Sequence, residues 1–125
     1  MAMTPFLRLL VAALLLASSP AEAETWPEKG VRIIVPFPPG GTYDIVARLL
    51  VAPLGKTLNT SVIIENKPGA GTNIGTEMVV RAARDGLTLL MGGIANAINE
   101  TLYPKLNFDL HKDLVKSESL QDQAK

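Results

Sequence analysis

Short runs of β-branched and aliphatic residues alternate with glycine-rich loops and helical patterns along this sequence. The runs occupy residues 31–35, 61–65 and 87–91, and each is followed by a loop that contains at least two glycines. Apolar runs bounded by glycine and proline are typical of buried strands. A helix that joins two strands of one sheet makes a right-handed crossover, which places the strands parallel. The alternation therefore predicts an α/β fold built on a parallel sheet.

Helical patterns fill the segments between these strands. The first pattern has Thr42 as its expected N-cap, and its predicted apolar face consists of the residues that recur at helical spacing, which are Ile45, Val46, Leu49, Leu50 and Leu54. Pro53 lacks a backbone donor, so we expect a kink or an early end of the helix there. The second helix is predicted to end near Arg84, before a left-handed stop at Gly86, and a shorter helix is predicted over residues 98–103.

The first 23 residues have the pattern of a secretory signal peptide. An apolar run at residues 9–17 follows Arg8, and Ala21 and Ala23 provide the small residues of a cleavage site. The run is shorter than the roughly 20 residues that a membrane-spanning helix needs. We therefore expect export and cleavage after Ala23, with a retained N-terminal anchor as the alternative.

Composition limits what the rest of the chain can bind. The 125 residues carry 12 Lys and Arg against 12 Asp and Glu, and they contain no cysteine. A chain without net charge is not expected to bind nucleic acid, and one without cysteine forms neither disulfides nor thiolate metal sites. Residues 24–114 are predicted to form the folded body, and the polar residues 115–125 a disordered tail.

Ligands of open parallel sheets bind beyond the carboxyl ends of the strands, where all three glycine-rich loops are expected to meet. These loops, at residues 36–42, 69–75 and 91–97, contain no Lys, Arg or His. An anion bound there would depend on backbone amides at helix starts, with side-chain donors at Thr42, Thr72, Asn73 and Asn96. Such a site suits a carboxylate better than a nucleotide. The alternative is that glycine and proline only turn the chain. Asp44 is assigned to the exposed side of the first helical turn.

Other chemistries find little support in the sequence. The glycines at 69, 71 and 75 are spaced one residue too widely for a dinucleotide fingerprint, and no phosphate-binding loop with a lysine is present. Ser61 is the only serine between the signal segment and the tail, and His111 is the only histidine, so a catalytic triad has no credible arrangement. The acidic residues lack metal-ligand spacing. We therefore predict no enzymatic activity, no cofactor and no metal.

Five motifs follow one another in order along the chain: Trp26-Pro27, the VRIIVPFPPGG run at 31–41, the DIVAR run at 44–48, the VIIENKPGAGTNIG run at 62–75 and the DGLTLLMG run at 85–92. As an ordered set they closely resemble the Bug family, the periplasmic solute-binding receptors of tripartite tricarboxylate transporters. The resemblance covers about residues 26–114. It implies one lobe of a Venus-flytrap fold with a three-layer, parallel-sheet architecture that is incomplete in this chain.

The resemblance also implies a ligand and partners. A small organic carboxylate would bind between two lobes, with the membrane subunits of the transporter as partners. The expected ligand-binding residues come from all three loops and are Phe37, Pro38, Gly40, Gly41, Thr42, Gly71, Thr72, Asn73, Ala95 and Asn96. Gly40 and Gly41 are expected to let the ligand approach the backbone, so in a receptor with both lobes Gly41→Val should abolish carboxylate binding, because a branched side chain would block the backbone and disfavour a positive φ.

Family members are far longer, so residues 24–114 are expected to be part of the first lobe, with 115–125 a divergent tail. A truncated receptor of this kind is expected to bind its ligand weakly. Two alternatives stay open. The chain can be an exported remnant that does not bind, or a small interaction protein that pairs through an open edge of its sheet.

Overall fold

The computed structural model describes residues 26–114; the predicted signal peptide and polar tail lie outside the described residues. The elements, in chain order, are β1 (Val31–Val35), α1 (Thr42–Leu58), β2 (Val62–Asn66), a 3₁₀ turn (Ala70–Thr72), α2 (Asn73–Val80), β3 (Thr88–Leu90), α3 (Ile94–Leu102) and α4 (Leu110–Asp113). None of the helices among these residues is long and apolar enough to cross a membrane.

The three strands form one parallel sheet in the order β2, β1, β3. Val31 of β1 is in register with Val62 of β2, and Arg32 with Thr88 of β3. The chain leaves β1 in one direction to form β2 and then crosses back over β1 to form β3. Two right-handed crossovers in opposite directions place α1 and α2 on opposite faces of the sheet. The predicted three-layer α/β fold is confirmed.

The central strand β1 carries most of the core. Val31, Ile34 and Val35 are fully buried, and Ile33 is 4% exposed. Ile33 and Val35 pack against Ala47 of α1 on one face. Ile34 lies on the opposite face because side chains alternate along a strand. β1 is therefore buried on both sides, which explains why its sequence is almost continuously apolar.

Most of the predicted apolar face of α1 is wrong as a core face: of its residues, Leu54 packs against the buried cluster on β1 and the other four are exposed. Ile45 is 52% exposed and Leu49 is 71% exposed, whereas Ala47 and Asp44 are buried. A small residue such as alanine lets the helix approach the sheet closely, so the face centred on Ala47 is the one that packs against β1. Periodicity identified the apolar stripe, but no described residue covers most of it.

Three helix boundaries also differ from the prediction. α1 continues through Pro53 and ends at Leu58; Asn59, with a left-handed φ of 50°, caps it by donating its amide to the Gly55 carbonyl. α2 ends at Val80, before the predicted end at Arg84. α3 begins at Ile94, four residues early, because the Asn96 side chain accepts a hydrogen bond from the amide of Gly93 and caps the first turn.

Candidate functional site

The three loops that follow the strands meet at the carboxyl edge of the sheet, as predicted. The first and second loops are joined where Asn66 Nδ2, at the end of β2, donates to the carbonyl of Phe37 at 3.2 Å. The second and third are joined by Asn99 of α3, which donates to the carbonyl of Gly71 and to Asn73 Oδ1. The third loop packs against the first turn of α1, because a Cβ added at Gly93 would lie 2.5 Å from the Tyr43 hydroxyl. The three loops therefore form one continuous surface.

The first loop changes direction at Gly40 rather than at Gly41. Gly40 has a φ of +81°, which side chains rarely tolerate, whereas Gly41 has a φ of −78° and a ψ of 168°. The positive φ predicted for Gly41 is therefore wrong, and Gly40 makes the turn. Phe37 stacks on Tyr43 with 4.1 Å between ring centroids, which ties the start of the loop to the first turn of α1.

Helix α1 presents its N-terminus to this surface. Gly41, not Thr42, is the N-cap residue, so the predicted cap is wrong and Thr42 is the first helical residue. The amides of Thr42 and Tyr43 lie in the first turn, where a helix offers them no internal acceptor. These amides and the positive end of the helix dipole favour an anion.

Asp44 is buried rather than exposed, so its predicted position is wrong. Only 3% of the residue is exposed, and its carboxylate accepts hydrogen bonds from Arg48 Nε at 2.9 Å, the Gly40 amide at 2.8 Å and Asn66 Nδ2 at 2.9 Å. The hydrogen bond from Arg48, followed by those from Gly40 and Asn66, lowers the pKa of Asp44 to about 2. Asp44 is therefore ionised at neutral pH, and its negative charge is balanced by Arg48 instead of repelling an anion at the helix N-terminus.

The second loop is shaped by close contacts. Gly71 has a φ of +62°, and a Cβ there would lie 2.9 Å from the Tyr103 hydroxyl. Thr72 is buried, its carbonyl accepts from Thr76 Oγ1 at 2.9 Å, and its own hydroxyl accepts from Asn99 Nδ2 at 3.3 Å. The Thr72 side chain is therefore engaged inside the protein.

The third loop is held in the same way. Asn96 is buried, and its Nδ2 donates to Thr76 Oγ1 at 2.7 Å while its Oδ1 accepts from the Gly93 amide at 2.8 Å. Ala95 beside it is half-buried. Like Thr72, Asn96 is committed to hydrogen bonds within the protein, although its residue type was predicted as a ligand donor.

The remaining predicted residues line the surface to different degrees. Pro38, Gly40, Thr42 and Gly71 are exposed, and Phe37, Gly41 and Asn73 are half-buried. Two cavities among the described residues, of about 310 and 300 Å³, are lined by none of these side chains. Within residues 26–114, no three His, Asp or Glu side chains are grouped to hold a metal ion.

Asn66 and Asn99 are important residues that the sequence prediction missed. Asn66 directly follows the predicted strand at residues 61–65, so its place at the carboxyl edge could be predicted from the pattern. Asn99 lies three residues after Asn96, on the same side of α3, and both are buried. Two asparagines at that spacing on a helix start indicate a polar contact with a neighbouring loop.

The parallel three-stranded lobe matches solved structures of the class of periplasmic binding proteins. The chain superposes on a structure described as a periplasmic transporter with a TM-score of 0.64 and 40% identity, covering 67% of this chain and 29% of that one. It superposes on MatC from Rhodopseudomonas palustris, solved with bound malate, with a TM-score of 0.60 and 41% identity, covering 70% of this chain and 30% of that one.

Sequence comparison identifies the family. The chain is 38% identical over 100 residues to protein BugT of Bordetella pertussis, which covers 78% of this chain and 31% of BugT. Residues 46–124 match the profile described as tripartite tricarboxylate transporter family receptor, and the match extends past Leu114. The chain belongs to this family. It spans about 30% of the length of the proteins that it matches.

Proposed function

We propose that this chain binds small organic carboxylates at the carboxyl edge of its sheet, as part of the first lobe of a periplasmic receptor. Residues 24–114 would belong to that lobe, and the membrane subunits of a tripartite transporter would be its partners. The observation that carries the proposal is the N-terminus of α1, where two amides without intrahelical acceptors adjoin an acidic residue whose charge is already balanced. The bound malate of MatC supports a dicarboxylate as the ligand.

The ligand carboxylate would be held by backbone donors. The amides of Thr42 and Tyr43 can donate to its oxygens, and the helix dipole adds a favourable interaction of about 0.3–1 kcal/mol at an exposed site. No side chain of the three loops carries a positive charge. The Arg48 guanidinium behind them is hydrogen-bonded to Asp44 and Asn66. Recognition by amides requires the loop to hold a fixed conformation, because backbone donors cannot rotate toward a ligand as side chains do.

Binding by this edge alone would be weak. A carboxylate on one open face keeps its water on the other side, whereas a second lobe would surround the ligand. The loss of about 4 kcal/mol of such contacts weakens an affinity roughly a thousandfold, from micromolar to millimolar. A titration must therefore reach millimolar malate. Amide chemical shifts measured by NMR are better suited to detecting such weak binding than the heat measured by calorimetry.

A proline substitution tests the backbone donor directly. Thr42 occupies the first position of α1, where proline is well tolerated, and the extended dihedrals of Gly41 suit a residue that precedes proline. Thr42→Pro therefore removes one amide while the helix remains. Thr42→Ala removes the hydroxyl and keeps the amide, which makes it the matched control.

We expect malate to shift the amide resonances of Tyr43 and Gly41, with an affinity at least several-fold weaker in Thr42→Pro and little changed in Thr42→Ala. Equal binding by the two variants would refute the role of the amide. An absence of shifts at tens of millimolar malate would refute carboxylate binding by this chain and favour the exported remnant. An oligomer of the unmodified chain in solution would favour pairing through the sheet edge instead.

A further inference from the structure

The first loop cannot hold its own shape through backbone hydrogen bonds. Pro36, Pro38 and Pro39 lack amide donors, so half of residues 36–41 have nothing to donate. The hydrogen bond within the loop from the Gly41 amide to the Pro38 carbonyl is long, at 3.4 Å. Something outside the loop must therefore fix its conformation.

Three side chains form a closed hydrogen-bonded ring behind this loop. Asp44 Oδ2 accepts from Arg48 Nε at 2.9 Å, Arg48 Nη2 donates to Asn66 Oδ1 at 3.3 Å, and Asn66 Nδ2 donates to Asp44 Oδ1 at 2.9 Å. Each member contacts the other two. The ring thus joins α1 to the end of β2.

This ring also contacts the first loop on both sides of its two exposed prolines. Asn66 Nδ2 donates to the Phe37 carbonyl at 3.2 Å, and the Gly40 amide donates to Asp44 Oδ2 at 2.8 Å. Pro38 and Pro39 are exposed and lie between these two contacts. The Gly40 amide already donates to Asp44, so it is unavailable to a ligand. Binding of a ligand carboxylate would then depend on the amides of Thr42 and Tyr43.

We propose that Asp44, Arg48 and Asn66 are positioning residues that hold the first loop in the conformation that presents the α1 amides to a ligand carboxylate. The role in ligand binding rests on the proposed function. The effect of the ring on the loop conformation can be measured without any ligand. None of the three residues needs to contact the ligand. They affect the affinity for the ligand because they fix the conformation of the first loop.

The decisive measurement is amide exchange and chemical shift in the unmodified 125-residue chain and in Asp44→Asn. An amide that donates to a carboxylate should resonate at lower field and exchange slowly. In Asp44→Asn, which keeps the side-chain size, we expect the Gly40 amide to move upfield and exchange about tenfold faster. The Met91 amide, which donates to Ile34 between β3 and β1, serves as the reference for global stability.

Helix α2 offers a matched control. Glu77 accepts from Arg81 in the same i, i+4 arrangement, with Nε at 2.9 Å, but the pair is exposed and lies outside the first loop. Glu77→Gln should leave the Gly40 amide unchanged. Arg48→Lys gives a second variant, at a side chain that is exposed. Lysine can pair with Asp44, but its single ammonium group cannot also bridge to Asn66. We expect it to have an intermediate effect at Gly40.

Two results would overturn the positioning role. One is an unchanged Gly40 amide in both Asp44→Asn and Arg48→Lys. The other is equal acceleration of Gly40 and Met91, which would show that the ring only stabilises the fold. Malate binding is read separately: we expect about tenfold weaker binding in Asp44→Asn. If the unmodified chain binds no malate, but Asp44→Asn changes the Gly40 amide and leaves the Met91 amide unchanged, the carboxylate proposal fails. The same result still supports the conclusion that the ring fixes the loop.

Discussion

Gly75, near the start of helix α2, packs closely against the residues that directly follow β1 and β2. A Cβ at this position would lie 2.8 Å from the Lys67 carbonyl oxygen and 2.8 Å from Pro36 Cβ. Carbon atoms pack at about 3.5–4.0 Å, so the added methyl must displace its neighbours by more than half an ångström. One neighbour is backbone and the other is a proline ring, and neither can rotate away. We therefore expect Gly75→Ala to destabilise the fold.

Two opposing effects set the size of this change. Alanine is favoured over glycine inside a helix by about 1 kcal/mol. Overpacking typically costs about 1–3 kcal/mol, and fixed neighbours place Gly75 at the upper end of that range. The net result is a loss of about 2 kcal/mol in the free energy of unfolding. Gly92→Ala is the control, because no atom lies within 4 Å of its Cβ position. It should be neutral or slightly stabilising, by up to about 1 kcal/mol.

Urea unfolding, followed by circular dichroism and by the fluorescence of Trp26, measures both variants. Trp26 is the only tryptophan, and its indole donates to the Asp85 carbonyl, so its emission reports on the fold. We expect the unfolding midpoint to fall in Gly75→Ala with an unchanged slope, and not in Gly92→Ala. A Gly75→Ala chain as stable as the Gly92→Ala chain would show that the helix can move away from these residues at little cost.

Three further predictions concern charge, loop contacts and export. Because the pKa of Asp44 is lowered from 3.8 to about 2, its contribution to stability is present above pH 3.8 and is lost as the pH falls toward 2. The free energy of unfolding of Asp44→Asn should therefore vary less with pH over that interval than that of the unmodified chain. Asn99→Ala leaves the Gly71 carbonyl without its hydrogen-bond donor and should lower the free energy of unfolding by about 1–3 kcal/mol. Asn107→Ala, at an exposed side chain, should lower it by less than about 0.5 kcal/mol, and equal losses in the two variants would contradict a stabilising role of the Asn99 contact. Mass spectrometry of the protein recovered from a periplasmic fraction should show cleavage after Ala23, and an intact chain would indicate an anchor.

The strands and the meeting of the loops could be predicted from the sequence because they depend on local patterns. Val31–Val35 is β-branched and lies between Gly30 and Pro36, which leaves little choice of structure. Parallel strands then bring their carboxyl ends to one edge whatever the strand order. These features need no knowledge of distant contacts.

The environment of Asp44 and the packing of α1 could not be predicted in this way. Asp44 is buried because Asn66, 22 residues later, and Arg48 satisfy its carboxylate. Its position in the first turn suggested only an interaction with the helix dipole. Likewise, helical periodicity found the stripe that includes Ile45, but the helix packs through Ala47, because close approach to the sheet requires a small side chain.

The polar side chains at the loop edge serve mainly to shape the loops. The Thr72 hydroxyl accepts from Asn99, Asn96 donates to Thr76 and accepts from Gly93, and Asn99 joins two loops. Each of these groups is buried, so releasing it toward a ligand would leave its present partner without a hydrogen bond, at a cost of about 1–3 kcal/mol. Exposed backbone amides carry no such cost. If this edge binds a carboxylate as proposed, the amides at the start of α1 would be its best donors, and discrimination among carboxylates would follow from loop shape rather than from a charged side chain.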